Sequence, residues 1–285
     1  MEKLKFVKMH GTGNDYIYID MTTNYYKFDP ADLSRKISDR HTGVGSDGLI
    51  LVYDTKTDSA DFKMRIFNPD GSEAEMCGNG IRAFARYVHE HRLTNKKMLQ
   101  IETGAGIKRV ELVFKAGRIW GAKVDMGEPI LEGKKIPVTV DKNPVANEEI
   151  SVEDKNFRFT AVSMGNPHCV IFADELTDEL VKGIGPKIEN HSLFPKRINV
   201  EFVKILDGGN VEMRVWERGV GETMACGTGA GAAAVACALN GKTGKRVNVK
   251  VLGGELQIEW AANNHVYMTG PAEEVFEGVY TYREF

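Results

Sequence analysis

Two short segments carry the residues best suited to chemistry, Cys77-Gly-Asn-Gly80 and Cys226-Gly-Thr-Gly229. Each follows a strand-like run and opens a stretch of small residues that reads as a helix. The glycines allow close backbone approach. The N–H groups of a helix's first turn have no partner inside the helix, and together with the helix dipole they favour negative charge. A cysteine placed there is expected to have its thiolate stabilised and its pKa lowered from about 8.5 into a working range. Gly78, Asn79, Gly227 and Thr228 beside it can offer N–H groups to a carboxylate. That pair of features fits proton exchange at the Cα of an amino acid. Removing the proton pushes charge into the carboxylate, where two helix N-termini can hold it. Inversion needs a base on one face and an acid on the other, and a thiolate and a thiol supply both, exchanging roles with direction.

The two segments are copies of one unit. At an offset of 226 − 77 = 149, Phe67 matches Trp216, Glu73 matches Glu222, and Ala83 and Ala85 match Ala232 and Ala234. Gly13-Asn14 and Gly165-Asn166 form a second pair at 166 − 14 = 152, each ahead of an apolar strand. Each half ends in an expected hairpin: 108–115 with 118–126, and 247–251 with 255–260 around Gly253-Gly254. Helices are expected over 31–39, 81–91, 176–189 and 230–239, and the polar stretch 132–156 reads as a connector or surface excursion. The fold class is therefore α/β, mixed, in two pseudo-symmetric domains. The first covers 1–125, joined by a C-terminal strand at 272–285, and the second covers 126–271. Duplication predicts that the two cysteine loops meet at an interdomain cleft, a common place for ligands.

Composition narrows the class. The chain has 285 residues, 42% hydrophobic and 27% charged, with a formal net charge of −3. Nothing in that balance draws it to nucleic acid or to an anionic membrane. The N-terminal MEKLKFVKMHG has no signal-peptide core, and the longest low-polarity run, 227–239, is shorter than the roughly 20 residues of a membrane span. A cytoplasmic protein is expected. Four cysteines without CxxC spacing, and without a His pair separated by three to five residues, argue against a disulfide framework or zinc. Cys169 and Cys237 read as inert core thiols.

Competing motifs are weak. Gly229-Ala-Gly231-x-x-Ala234 resembles a dinucleotide fingerprint but lacks a convincing acidic partner in a following βαβ unit. Gly11-x-Gly13 lacks the P-loop lysine. No distinctive pyridoxal-phosphate lysine stands out. A thiol–disulfide oxidoreductase would want its reactive cysteines close in sequence. A racemase of a smaller amino acid such as proline, or a non-catalytic amino-acid-binding protein, remain as alternatives.

Seven motifs in order, Gly11-Thr-Gly-Asn14-Asp-Tyr16, Phe67-Asn-Pro-Asp-Gly-Ser72, Cys77-Gly-Asn-Gly80, Gly165-Asn-Pro-His168, Arg197-Ile-Asn-Val200, Trp216-Glu-Arg-Gly219 and Cys226-Gly-Thr-Gly229, closely resemble the diaminopimelate epimerase family. The resemblance implies two halves, each a barrel-like sheet around a central helix. It implies interconversion of LL- and meso-2,6-diaminopimelate without pyridoxal phosphate, metal or other cofactor, in lysine and cell-wall precursor synthesis, by a homodimer. By resemblance Cys77 and Cys226 are the acid and base, and Gly78, Asn79, Gly227 and Thr228 cradle the reacting carboxylate. Asn68, Glu217 and the Arg218 backbone take the reacting ammonium. Asn14, Asn166, Asn199 and the Arg218 side chain grip the distal amino-acid end, and His168 and Glu217 tune the thiols. Two departures follow. Some members carry Gln where Gly48 stands, and some use a tyrosine at the dimer contact where Phe276 stands.

Overall fold

The computed structural model describes residues 1–283, so the last two positions of the expected C-terminal strand lie outside the described residues. Along the chain run β1 (Glu2–Gly11), β2 (Asn14–Asp20), α1 (Pro30–Ser38), β3 (Leu49–Asp54), β4 (Phe62–Phe67) and β5 (Glu73–Ala74). Then come α2 (Gly78–Glu90), β6 (Met98–Thr103), β7 (Gly106–Lys115) and β8 (Arg118–Asp125). The second half holds β9 (Glu148–Val152), β10 (Lys155–Ser163), β11 (Pro167–Phe172), α3 (Gly185–Glu189), β12 (Asn199–Ile205), β13 (Asn210–Glu217) and β14 (Gly221–Glu222). It continues through α4 (Gly227–Leu239), β15 (Arg246–Val251), β16 (Gly254–Trp260) and β17 (Val266–Pro271), and β18 (Glu273–Tyr282) follows. The chain divides into two compact units. One is Met1–Val124 with the segment from Gly270 onward, and the other is Asp125–Thr269.

In the first unit the sheet runs β18-β1-β2-β3-β4-β6-β7-β8, with β2–β3 and β4–β6 parallel and the other neighbours antiparallel. In the second it runs β9-β10-β11-β12-β13-β15-β16-β17, with β11–β12 and β13–β15 parallel. The two orders are the same, strand for strand. The short strands β5 and β14 pair back on β4 and β13 just ahead of each cysteine. Even the ion pair there is repeated: Arg65 Nε meets Glu73 Oε1 at 2.7 Å, and Arg214 Nε meets Glu222 Oε1 at 2.7 Å.

The middle strands of each sheet, such as β3, β11 and β12, are covered on both faces, and strand alternation sorts the side chains between them. Ile17 and Ile19 of β2, with Leu49 and Leu51 of β3, join Leu33 and Ile37 of α1 in one core. Tyr16 and Tyr18 turn the other way, toward α2; the Tyr18 hydroxyl donates to the Gly80 carbonyl at 2.8 Å. In the second unit Cys169, Ile171, Val200 and Phe202 pack with Ile188 of α3, while α4 packs against strands β10 to β13, β15 and β16. A helix ringed by strands must be thin, and α4 is: Ala230, Ala232, Ala233 and Ala236 are fully buried.

Three expectations need correction. The stretch 176–189 is not one helix but a π-helical segment, Glu179–Ile184, running into α3. Pro186, which has no N–H to donate, stands in the first turn of α3, just past the change. The stretch 132–156 is not a surface excursion. Its Ile136 and Val145 are fully buried in the second unit's core, and it supplies β9. Its polar residues merely flank those apolar anchors. The last hairpin turns at Leu252-Gly253, one residue earlier than expected, because Val251 pairs with Gly254. Among the described residues, no helix is long and apolar enough to cross a membrane.

Candidate active site

Both cysteines are helix N-caps. Cys77 sits in extended conformation (φ −135°, ψ 120°) ahead of α2, and its Sγ accepts from the Gly80 N–H at 3.4 Å. Cys226 does the same ahead of α4 (φ −113°, ψ 111°), accepting from the Gly229 N–H at 3.3 Å. Each sulfur thus sits at the positive end of a central helix, among first-turn N–H groups that favour an anion. Gly78, Asn79 and Gly227 are buried in those first turns, and Thr228 is partly buried.

Electrostatically the two loops differ. Burial pushes the Cys77 thiol above its usual range. The Tyr16 hydroxyl, the Gly80 and Asn79 N–H groups and the Arg82 guanidinium oppose that rise. Cys226 is pushed well above the usual range, first by burial and then by the carboxylates of Glu217 and Glu201; the Thr228 hydroxyl and Gly229 N–H oppose it. The expected lowering of both thiols is therefore not found. Desolvation of the anion by burial outweighs the groups that favour it.

Around Cys77, Asn14 reaches the sulfur and Asn79. Its Oδ1 accepts from the Cys77 thiol at 3.4 Å and faces Asn79 Nδ2 at 3.4 Å, while its Nδ2 donates to Asp47 at 2.8 Å. Asn68 sits in a tight turn, with its Nδ2 donating to Ser72 Oγ at 2.9 Å.

In the second unit His168 is fully buried. Its Nδ1 meets Glu201 Oε1 at 2.7 Å and its Nε2 meets Asn166 Oδ1 at 2.9 Å. Asn199 bridges strands, donating to the Pro167 carbonyl at 2.8 Å and accepting from the Arg218 N–H at 2.9 Å. Glu217 accepts from the Thr223 hydroxyl at 2.5 Å, and the Arg218 side chain donates to the Lys196 carbonyl at 3.1 Å, at the surface. Asn166, His168, Asn199, Glu217, Arg218, Cys226 and Thr228 therefore belong to one linked neighbourhood of the second unit, and Asn14, Cys77 and Asn79 to one in the first.

Sequence reading passed over three residues. Tyr16 donates to Cys77 Sγ at 3.5 Å. Arg82 is fully buried behind the α2 cap. Glu201 is fully buried, and its Oε2 has no hydrogen-bond partner among the described residues. A charged residue inside an apolar strand (Asn-Val-Glu201-Phe-Val) or an alanine-rich helix (Ile-Arg82-Ala-Phe-Ala) was the available signal. The side chain missing at Gly48 leaves no gap for a larger residue. A Cβ there would lie 2.4 Å from the Phe67 carbonyl oxygen and 3.0 Å from the Tyr16 ring.

The fold resembles solved structures at low identity. A hydroxyproline epimerase from Agrobacterium vitis superimposes with a TM-score of 0.69 at 15% identity, covering 97% of this chain and 92% of that one. A PhzF-family phenazine biosynthesis protein of Bacillus anthracis gives 0.68 at 16% identity, covering 99% and 100%. Sequence relatives are much nearer. The diaminopimelate epimerase of Methanococcus maripaludis strain C5 is 52% identical over 276 residues, 96% of this chain and 99% of that one. That of Acetivibrio thermocellus is 53% identical over 276 residues, covering 96% and 98%. The family model described as diaminopimelate epimerase matches residues 6–132 and 160–275. The matched stretches take in both cysteine loops, and relatives of nearly equal length share more than half of the aligned residues: the chain belongs to the diaminopimelate epimerase family.

Proposed function

We infer that the chain interconverts LL- and meso-2,6-diaminopimelate by two-base proton transfer at Cα, with Cys77 and Cys226 as the bases. The observation that carries this reading is the matched pair of thiol N-caps, one heading each central helix. Inversion requires them to reach opposite faces of one carbon. The N–H groups of Gly78, Asn79, Gly227 and Thr228 then receive the carboxylate as it takes up charge, a term that grows toward the transition state. Bound substrate displaces water from the loops and brings its ammonium close to the thiols, which favours a thiolate beside it. Asn68, Glu217 and the Arg218 backbone hold that ammonium. Asn14, Asn166, Asn199 and the Arg218 side chain take the distal amino-acid end, whose four charges suit amide and guanidinium partners. His168 and Glu217 set the electrostatics of Cys226. None of these steps draws on a cofactor or metal. The expected setting is the cytoplasm, where thiols stay reduced.

Incubating the reduced protein with LL-diaminopimelate in deuterated water tests the reading. The expected result is meso product carrying solvent deuterium at Cα. Exchange with proline and not with diaminopimelate would overturn the substrate, and no exchange with any amino acid would overturn the activity.

The pH dependence follows from the raised thiols. One must be deprotonated and the other protonated, so kcat/KM is bell-shaped and reports the free enzyme. Because burial raises both, the rising limb is expected at or above the ordinary thiol value of about 8.5. A rising limb centred below about pH 7 would contradict it.

We also propose that two copies pair through β18, where Val275, Phe276 and Val279 are 53%, 44% and 58% exposed. Phe276 also packs edge-on against Phe6, ring centres 5.9 Å apart, so it anchors by area where a tyrosine would add a hydroxyl. Sedimentation should give a dimer for the parent and a monomer for Phe276→Glu; a parent monomer rules the pairing out.

A further inference from the structure

The two units share a topology but not their charges, and the breaks in symmetry cluster behind the cysteines. Strand register makes the match explicit. Ile17 pairs with Leu49 as Cys169 pairs with Val200, so Tyr16 corresponds to His168 and Ile50 to Glu201. Geometry agrees. A Cβ on Gly80 would meet Ile50 Cδ1 at 2.8 Å, and one on Gly229 would meet Glu201 Oε1 at 2.7 Å and Cys226 Sγ at 3.2 Å. The cysteine offset likewise makes Arg82 correspond to Gly231.

Behind Cys77 the first unit therefore places a hydroxyl donor, an apolar side chain and a buried cation. The Tyr16 phenol is held protonated by burial and by its proximity to Cys77, so its O–H donates to the sulfur. Arg82 is lowered to about 10 by burial and stays charged at neutral pH. Its guanidinium donates to the Gly78 carbonyl at 3.2 Å, Asn79 Oδ1 at 2.9 Å and Thr12 Oγ1 at 3.2 Å, all neutral acceptors at the foot of α2. Behind Cys226 the second unit places a histidine and two carboxylates, Glu201 and Glu217. Both carboxylates act on Cys226 through space and oppose its thiolate. Asp47 faces Tyr16, Glu75 stands two residues before Cys77, and Tyr18 is fully buried with its hydroxyl on the Gly80 carbonyl.

We propose that this broken pseudo-symmetry fixes the order of ionisation: Cys77 is the first catalytic thiol to lose its proton, and Cys226 keeps its own. Tyr16 is the positioning residue that favours the Cys77 thiolate. The inference rests on the two-thiol reading and deepens it. The free enzyme then favours one of its two protonation forms, the form that accepts the substrate proton at Cys77. Turnover in one direction must return to that form each cycle.

The test is a pH titration of thiolate ultraviolet absorbance in the reduced, substrate-free enzyme. The first thiolate step is expected to vanish in Cys77→Ala and to persist in Cys226→Ala. In Tyr16→Phe, which keeps the ring and removes only the donor, that step moves to higher pH while the fold is unchanged. A separation of at least one pH unit, about tenfold in proton affinity, is expected between the two thiols. A first step lost in Cys226→Ala, or kept in both cysteine variants, overturns the proposal, as does a Tyr16→Phe titration that superimposes on the parent. Failure of the two-thiol reading would look different. The cysteine variants would then still epimerise, whatever the order of ionisation.

Discussion

Cys77→Ala and Cys226→Ala each lose epimerisation of LL-diaminopimelate by about a thousandfold or more, the middle of the range for removing a positioned acid or base. Neither loss should come from unfolding. The N–H contacts that cap each helix through its sulfur are long, 3.4 Å from Gly80 at Cys77 and 3.3 Å from Gly229 at Cys226. Losing a cap costs about 0.5–2 kcal/mol even with stronger oxygen acceptors. The informative readout is the ratio of inversion to exchange. A single remaining thiol can still take the Cα proton on its own face and return a solvent deuteron there, without inverting the centre. Exchange should therefore survive better than inversion, each variant exchanging only the stereoisomer whose proton faces its remaining thiol. Inversion within tenfold of the parent in either variant, with circular dichroism unchanged, would rule that cysteine out as an acid or base.

The repeat was legible because it is written in residue types that topology forces. An aromatic at or next to the end of the fifth strand of each sheet, a glutamate on the short return strand and a cysteine at the cap recur at one offset because each does the same local job. Arg65–Glu73 and Arg214–Glu222 pin the return strands that deliver the two cysteines. What could not be read was where the copies diverge. Tyr16 and His168 occupy one position of the repeat, and so do Ile50 and Glu201, but their types look unrelated until strand register aligns them. The thiols' electrostatics were misjudged for a related reason. Helix position is visible in sequence, whereas burial and the approach of Glu201 and Glu217 to Cys226 depend on tertiary packing. The stretch 132–156 hid Ile136 and Val145 among lysines, prolines and glutamates, because a few buried anchors do not change a segment's average polarity.

Restoring at Gly48 the glutamine that some family members carry is expected to damage the protein. Gly48 has φ +154°, where a side chain is strained whatever the space around it. Such strained residues cost about 1–3 kcal/mol. The backbone is held there from three directions. Its carbonyl accepts from the Ile17 N–H at 3.1 Å and from Ser46 Oγ at 2.9 Å, and its N–H donates to Ser46 Oγ at 3.3 Å. The obstacle to a Cβ is the Phe67 carbonyl at 2.4 Å, a backbone atom of a paired strand that cannot swing aside. The softer neighbour is the Tyr16 ring at 3.0 Å, so it takes much of the displacement, and its hydroxyl leaves Cys77. Urea denaturation should show Gly48→Gln less stable by at least the strain cost. Activity should fall by about a hundredfold, the scale of a misplacement near 1 Å in an active site. Because the displaced group is the donor to Cys77, the rising limb of kcat/KM should also move to higher pH, as in Tyr16→Phe. A variant as stable and active as the parent would show that the loop at 45–48 can adopt a second backbone path, one in which the distal end of the substrate gains a contact that glycine does not supply.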